Sequence, residues 1–145
     1  MPIPPRVSLI TLGVSNVAHS TRFYQSLGWP LSSASVDGDV SFFNTDGGLL
    51  ALWGRSDLVA DAEIADPSDA GFRGVCHAIN LESEADVDAA FVDVQTAGGK
   101  IVKPPFKTDW GGYTGYFSDP DGHLWEIAHN PAWPIGVDGR PVLPT

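Results

Sequence analysis

Two stretches of this chain repeat one design, and that repetition restricts the possible folds more than any other feature. The later copy is Gly115-Tyr116-Phe117-Ser118-Asp119-Pro120-Asp121-Gly122-His123-Leu124-Trp125-Glu126-Ile127. Proline presets φ early in a turn, aspartate hydrogen-bonds its own backbone and glycine accepts φ > 0, so Asp119-Pro120-Asp121-Gly122 is a turn between two strands. The earlier copy is Phe42-Phe43-Asn44-Thr45-Asp46-Gly47-Gly48-Leu49-Leu50-Ala51-Leu52. Setting Asp46-Gly47 on Asp121-Gly122 places Leu49, Leu50, Ala51 and Leu52 on Leu124, Trp125, Glu126 and Ile127. The chain is therefore two copies of one module. Glu126, an acid in an otherwise apolar run, has an alanine as its internal twin. A carboxylate in such a run is costly to bury alone, so it meets a partner or lines a cavity.

The rest of the chain follows the same order twice. In the first half, residues 7–14 read as a strand, and Asn16 caps a helix that Gly28 stops, with Val17, Ser20, Phe23, Tyr24 and Leu27 as its inward stripe. Strands at 31–36, 39–44 and 49–53 come next. In the second half, residues 74–81 are a strand and Ser83 caps a helix with Asp86 three residues on. Val87, Ala90, Phe91, Val94 and Ala97 give that helix its stripe, and Gly98-Gly99 ends it. Residues 100–103 form a strand that Pro104-Pro105 breaks, and the aromatic hairpin closes the module. The expected organisation is a first module over 1–55, an acidic linker over 56–72, a second module over 73–129 and a proline-rich tail over 130–145. Within the linker, residues 56–63 form a short helix after a Ser56 cap, and 65–69 are loop. The tail runs over the surface with Trp133 pinned into a groove.

Composition narrows the function. The 43% of hydrophobic residues supplies a real core, yet no apolar run approaches the roughly 20 residues of a membrane span. With 18 acids against 8 bases the net charge is −10, which repels phosphate backbones and excludes nucleic acid as a natural partner. Met1-Pro2-Ile3-Pro4-Pro5-Arg6 lacks the apolar centre of a signal peptide, and the single cysteine, Cys76, agrees with a reducing compartment. The expected location is cytoplasmic.

Two modules of this order, the ending Asp119-Pro120-Asp121-Gly122-His123-Leu124-Trp125-Glu126 and the phrase Arg22-Phe23-Tyr24-Gln25-Ser26-Leu27-Gly28-Trp29 together resemble the vicinal oxygen chelate superfamily. That superfamily includes glyoxalase I, bleomycin-resistance proteins, fosfomycin-modifying enzymes and extradiol dioxygenases. The resemblance implies an α+β fold in which two βαβββ modules form a curved, cup-like mixed sheet with helices outside, a site inside the cup, and a homodimer. In the enzymes a divalent metal is held by His, Gln or Glu on the first and last strand of each module, where it polarises paired oxygens of a substrate. Carried onto this chain, the last strands offer Glu126 and Ala51, and the first strands offer Cys76 and Leu9. Two of the four positions thus have no donor. His77 is one residue from Cys76 and, in a regular strand, points to the opposite face.

The candidate ligand-binding residues are Trp53, Trp110, Tyr113, Glu126 and His77. Trp110-Gly111-Gly112-Tyr113 is an aromatic-tipped loop whose rings offer stacking faces, and Trp53 ends a module-one strand. Glu126 is either a ligand-binding group or the partner of an arginine such as Arg55 or Arg73, and His77 is either a core histidine or a ligand. His123 is a strand-end residue, His129 could reach the cup mouth and His19 is solvated. No nucleophile elbow and no phosphate-binding glycine loop occur. Two readings follow. One is a cup that sequesters an aromatic or cationic small molecule with no cofactor. The other is a metal-dependent lyase or dioxygenase using Glu126 and His77. A cup filled by its own side chains would be a structural relic.

Overall fold

In the computed structural model, which describes residues 3, 5–66 and 71–145, two of the helices start where a short polar side chain stands in for a missing backbone partner. After strand β1 (Leu9–Val14), the Asn16 carboxamide accepts the His19 N–H at 2.9 Å and opens helix α1 (Val17–Ser26). Strands β2 (Val40–Thr45) and β3 (Gly48–Gly54) fold back on each other at Asp46-Gly47. Helix α2 (Arg55–Ala62) follows β3 directly, so Ser56 lies in its first turn and does not cap it. In the second half come β4 (Cys76–Asn80) and α3 (Glu84–Thr96), where the Ser83 hydroxyl accepts the Asp86 N–H at 3.1 Å. They lead to β5 (Lys100–Lys107), β6 (Tyr113–Ser118) and β7 (Leu124–His129). Met1, Pro2 and Pro4, and Pro67, Ser68 and Asp69 of the expected loop, lie outside the described residues.

Two strands differ from expectation. The segment expected as a strand at 31–36 touches β2 only through the single pairs Leu31↔Phe43 and Val36↔Val40. Between them a turn lifts the chain away, and the Ser35 hydroxyl takes the Phe42 N–H at 2.9 Å where a strand carbonyl would stand. Conversely, Pro104-Pro105 do not end β5. That strand is an edge of its sheet, where a missing N–H faces away from the ladder, and the register slips on either side of Lys103 absorb the irregularity.

The strands form two sheets, β1-β3-β2 and β4-β7-β6-β5, with β1∥β3 and β4∥β7 and the other pairs antiparallel. The fold is α+β, two modules of the βαβββ type. Strand side chains alternate between faces, and in each sheet one face is covered by helix. Leu12, Val14, Phe43, Leu50 and Leu52 from one sheet, and Phe117, Trp125 and Ile127 from the other, join Val17, Phe23, Tyr24, Val87, Phe91 and Val94 in a single buried cluster. Each large apolar side chain there contributes about 1.5–3 kcal/mol by leaving water. Both modules thus share one core on the helical side. The opposite face of each sheet, with Thr11, Phe42, Ala51 and Trp53 on one and Ala78, Thr114, Tyr116 and Glu126 on the other, turns away from that core.

The C-terminal segment returns to module one. Its small hairpin, closed by Gly136 N–H to Arg140 C=O at 2.8 Å, lays Gly139 so close to Asp46 that a side chain there would collide with it. That contact anchors the segment. Trp133 remains 38% exposed and is not enclosed in a groove.

Candidate ligand-binding face

The strand registers test the internal alignment directly. Leu9 pairs with Leu49 and Thr11 with Ala51, while Cys76 pairs with Leu124 and Ala78 with Glu126. Leu9 and Cys76 are therefore equivalent, as are Ala51 and Glu126. Because β6 runs antiparallel to β7, Tyr116 stands opposite Glu126, and Thr114 is one diagonal step away on the same face. The Thr114 hydroxyl, shared between Glu126 Oε2 at 3.0 Å and the Ile127 carbonyl at 3.2 Å, is a donor to the carboxylate, and the Tyr116 phenol faces the same group. The neighbouring Glu126 carboxylate, ahead of burial, holds the Tyr116 phenol above its ordinary range, so it stays protonated.

Glu126 therefore has one hydroxyl partner and no ion pair among the described residues. Arg55 is taken by Asp66, with contacts of 2.8 and 2.6 Å, and Arg73 reaches the Asp121 carbonyl at 3.4 Å. The expected arginine partner of Glu126 is absent because both candidates are spent elsewhere. A carboxylate accepts about four hydrogen bonds, so one hydroxyl donor leaves it capacity for a ligand.

Around Glu126 the same face carries Cys76 on β4 and, across β6, Lys103 and Phe106 on β5. Lys103 pairs with Tyr116 and Phe106 with Thr114, and the Lys103 ammonium lies 3.8 Å from the centre of the Phe106 ring. Burial, and then the charge of Glu126, push the Cys76 thiol up, which keeps it a thiol and not a thiolate. Thr114, Tyr116, Lys103 and Phe106 escaped the sequence reading. Pairing outward from Glu126 across the Asp119-Pro120-Asp121-Gly122 turn would have found Tyr116, whereas the bulged register of β5 hides Lys103 and Phe106.

The five candidates from sequence do not converge. No hydrogen bond, ion pair or ring contact joins any two of them among the described residues. Trp53 lies on the open face of the other sheet, half-buried and paired with Gly13 and Val40. Trp110 sits on the β5–β6 loop, 57% exposed, its ring folded over Gly112. Tyr113 faces the helical side, where its hydroxyl donates to Asp88 at 2.6 Å and its ring joins the core. His77 is also on the helical side, 4.9 Å from the Trp125 ring centre, with its buried Nδ1 lacking a partner. Of the remaining histidines, His123 bonds the Gly13 carbonyl at 2.8 Å. His129 is held by the Leu81 carbonyl at 3.0 Å and does not reach an open face.

These positions do not fit a metal of the family type. Leu9 and Ala51 have no donor atom, and His77 lies on the face opposite Glu126. Among the described residues no three His, Cys, Asp or Glu side chains gather as a ligand set. Nor is any helix long and apolar enough to cross a membrane.

Comparison with known proteins agrees with the geometry. The family model described as Glyoxalase/Bleomycin resistance protein/Dioxygenase superfamily matches residues 6–127. The crystal structure of a glyoxalase-related enzyme from Fulvimarina pelagi is similar to this chain at 34% identity, covering 98% of this chain and 100% of that one, with a TM-score of 0.87. A glyoxalase/bleomycin resistance protein/dioxygenase from Nocardioides is 26% identical over 89% of this chain and 85% of its own, with a TM-score of 0.74. An uncharacterized protein of Mycolicibacterium smegmatis is 31% identical over 69% of this chain and 73% of its own.

Proposed function

We propose, starting from a chain that belongs to the glyoxalase/bleomycin resistance protein/dioxygenase superfamily, that it binds a small aromatic or cationic molecule at Glu126 without a catalytic metal. The reading rests on one observation. Glu126 is approached by the Thr114 hydroxyl and lies opposite Tyr116, carries no ion pair among the described residues, and has Ala51 as its internal twin. A carboxylate met by a neutral donor keeps its charge for an incoming cation or N–H group. Phe106 and Tyr116 supply ring surface on the same face, and Trp110 supplies more at the loop above β6. The protein acts as a homodimer in the cytoplasm, where its exposed Cys76 stays reduced.

A second reading, a metal-dependent lyase or dioxygenase, is favoured by the placement of Cys76 beside Glu126 on one face. It needs donors from outside this set, since Leu9 and Ala51 supply none.

One series of measurements separates the two. Protein purified without chelator is analysed for metal, then titrated with Ni²⁺, Mn²⁺, Fe²⁺ and Zn²⁺ while its melting temperature is followed. The expected result is no stoichiometric metal and no stabilisation. A stoichiometric metal lost in Glu126→Ala would overturn the binder reading. In a fluorescence screen of aromatic amines, Glu126→Gln is expected to weaken binding about tenfold or more, the loss of one charge-assisted contact. Trp110→Ala should weaken it less and leave the fold intact.

A further inference from the structure

A groove of about 420 Å³ lies on the helix-covered side of the β1-β3-β2 sheet, between α1 and residues 31–38. It is separate from the Glu126 face, and the internal duplication explains its origin. Ser41 pairs with Leu52 and Gly115 with Ile127, so Ser41 and Gly115 are the same position in the two modules. In module two that position is closed: a side chain on Gly115 would meet Phe91 at 2.7 Å and the backbone of Lys103 and Pro105 at 2.9 Å. In module one the segment 31–36, the counterpart of β5, is reduced to two single pairs, the chain arches outward, and the space stays open.

Polar groups line the opening. The Thr21 hydroxyl donates to the Val17 carbonyl at 2.6 Å and meets the Ser41 hydroxyl at 2.6 Å, a buried pair on a surface whose neighbour Phe43 is fully buried and apolar. Gln25, Ser35 and Asp37 extend the polar wall. Arg22 also borders the groove, and its guanidinium has no ion pair or hydrogen bond among the described residues. In a chain with 18 acids and 8 bases, an arginine left unpaired beside a hydroxyl-rich groove is a free anion anchor. Asp37, at the same rim, accepts hydroxyls and repels a bare anion.

We propose that this groove is a second small-molecule site, taking a hydroxyl-rich anion of sugar-phosphate or sugar-acid type. The anionic group pairs with Arg22, the ligand hydroxyls donate to Asp37, and Gln25 and the serine hydroxyls complete the wall. The site does not depend on any ligand at Glu126.

Backbone amide shifts of the ¹⁵N-labelled protein test it, with ribose 5-phosphate, ribose and inorganic phosphate as separate probes. Ribose 5-phosphate is expected to shift the amides of Thr21, Arg22 and Ser41 saturably, and more tightly than either fragment. Arg22→Gln, at an exposed position, should weaken it about tenfold or more, while Glu126→Gln should leave it unchanged. Absence of shifts at those amides in the wild-type protein, or an unchanged affinity in Arg22→Gln, would overturn the proposal. Inorganic phosphate binding as tightly as ribose 5-phosphate would remove the hydroxyl requirement and overturn it equally.

Discussion

The Tyr24 hydroxyl donates to Asp119 at 2.7 Å across 95 positions of sequence, and Trp125 Nε1 donates to the same hydroxyl at 3.2 Å. The other Asp119 oxygen accepts the N–H groups of Asp121 and His123, so one buried carboxylate shapes the hairpin turn and ties it to α1. Burial, and then Asp119, push the Tyr24 phenol well up, which keeps it a donor. Beside this network, His77 is held below the ordinary imidazole value, first by burial and then by the charge of His123, against the opposing pull of the Leu124 backbone and then of Asp119. A group whose folded pKa is depressed contributes stability above its unfolded value, about 6.5 for histidine, and loses it as the pH falls through the folded value. Urea unfolding compared at pH 7.5 and pH 5 is therefore expected to show a larger acid loss in the wild-type protein than in His77→Phe. Equal losses would mean that His77 is not a source of acid sensitivity. At this scale the sequence showed the actors but not their bonds. Tyr24 and Asp119 each stood in a legible phrase, and Glu126 stood out as an acid in an apolar run. The neighbours of Glu126, Thr114 and Tyr116, had no such contrast, because hydroxyls are ordinary in a strand.

Among the elements, the helices were legible because caps and stripes are local: Asn16 and Ser83 begin α1 and α3, and apolar spacing marks their buried sides. The strands beside them were less so. Whether 31–36 pairs fully, or β5 survives its prolines, depends on its place in the sheet, and an edge position decided the second case. Gly115 shows how tightly the bulged β5 closes on its neighbours. It lies where β6 passes between Phe91 of α3 and the backbone of Lys103 and Pro105, with no room for a methyl group. Gly115→Ala is accordingly expected to destabilise the protein by about 1–3 kcal/mol through overpacking. A urea midpoint unchanged at constant m-value would show that β5 yields and that its bulge is soft.

At the scale of the whole molecule, one shared core has a consequence for assembly. The helical faces of both sheets meet within a chain, so the faces bearing Ala51 and Glu126 both turn away from that core. We propose that the open face of one sheet is covered by its counterpart in a second copy, which completes the cup. On the module-one face, Leu9 and Leu49 are neighbours in register and remain 41% and 42% exposed. Paired leucines left half in water on a sheet face suit a protein interface. Placing a carboxylate at both positions should break that interface, since an unpaired charge is costly to bury, while leaving the chain's own core untouched. Light scattering coupled to size exclusion is expected to give the mass of two chains for the wild-type protein and of one for the Leu9→Glu, Leu49→Glu variant, with unchanged circular dichroism. The monomeric variant should also lose binding of aromatic amines at Glu126, because half of the cup is missing. A wild-type monomer that binds them as tightly as any dimer would instead place the complete site on the open face of one sheet, with Thr114, Tyr116 and Phe106 as its only walls.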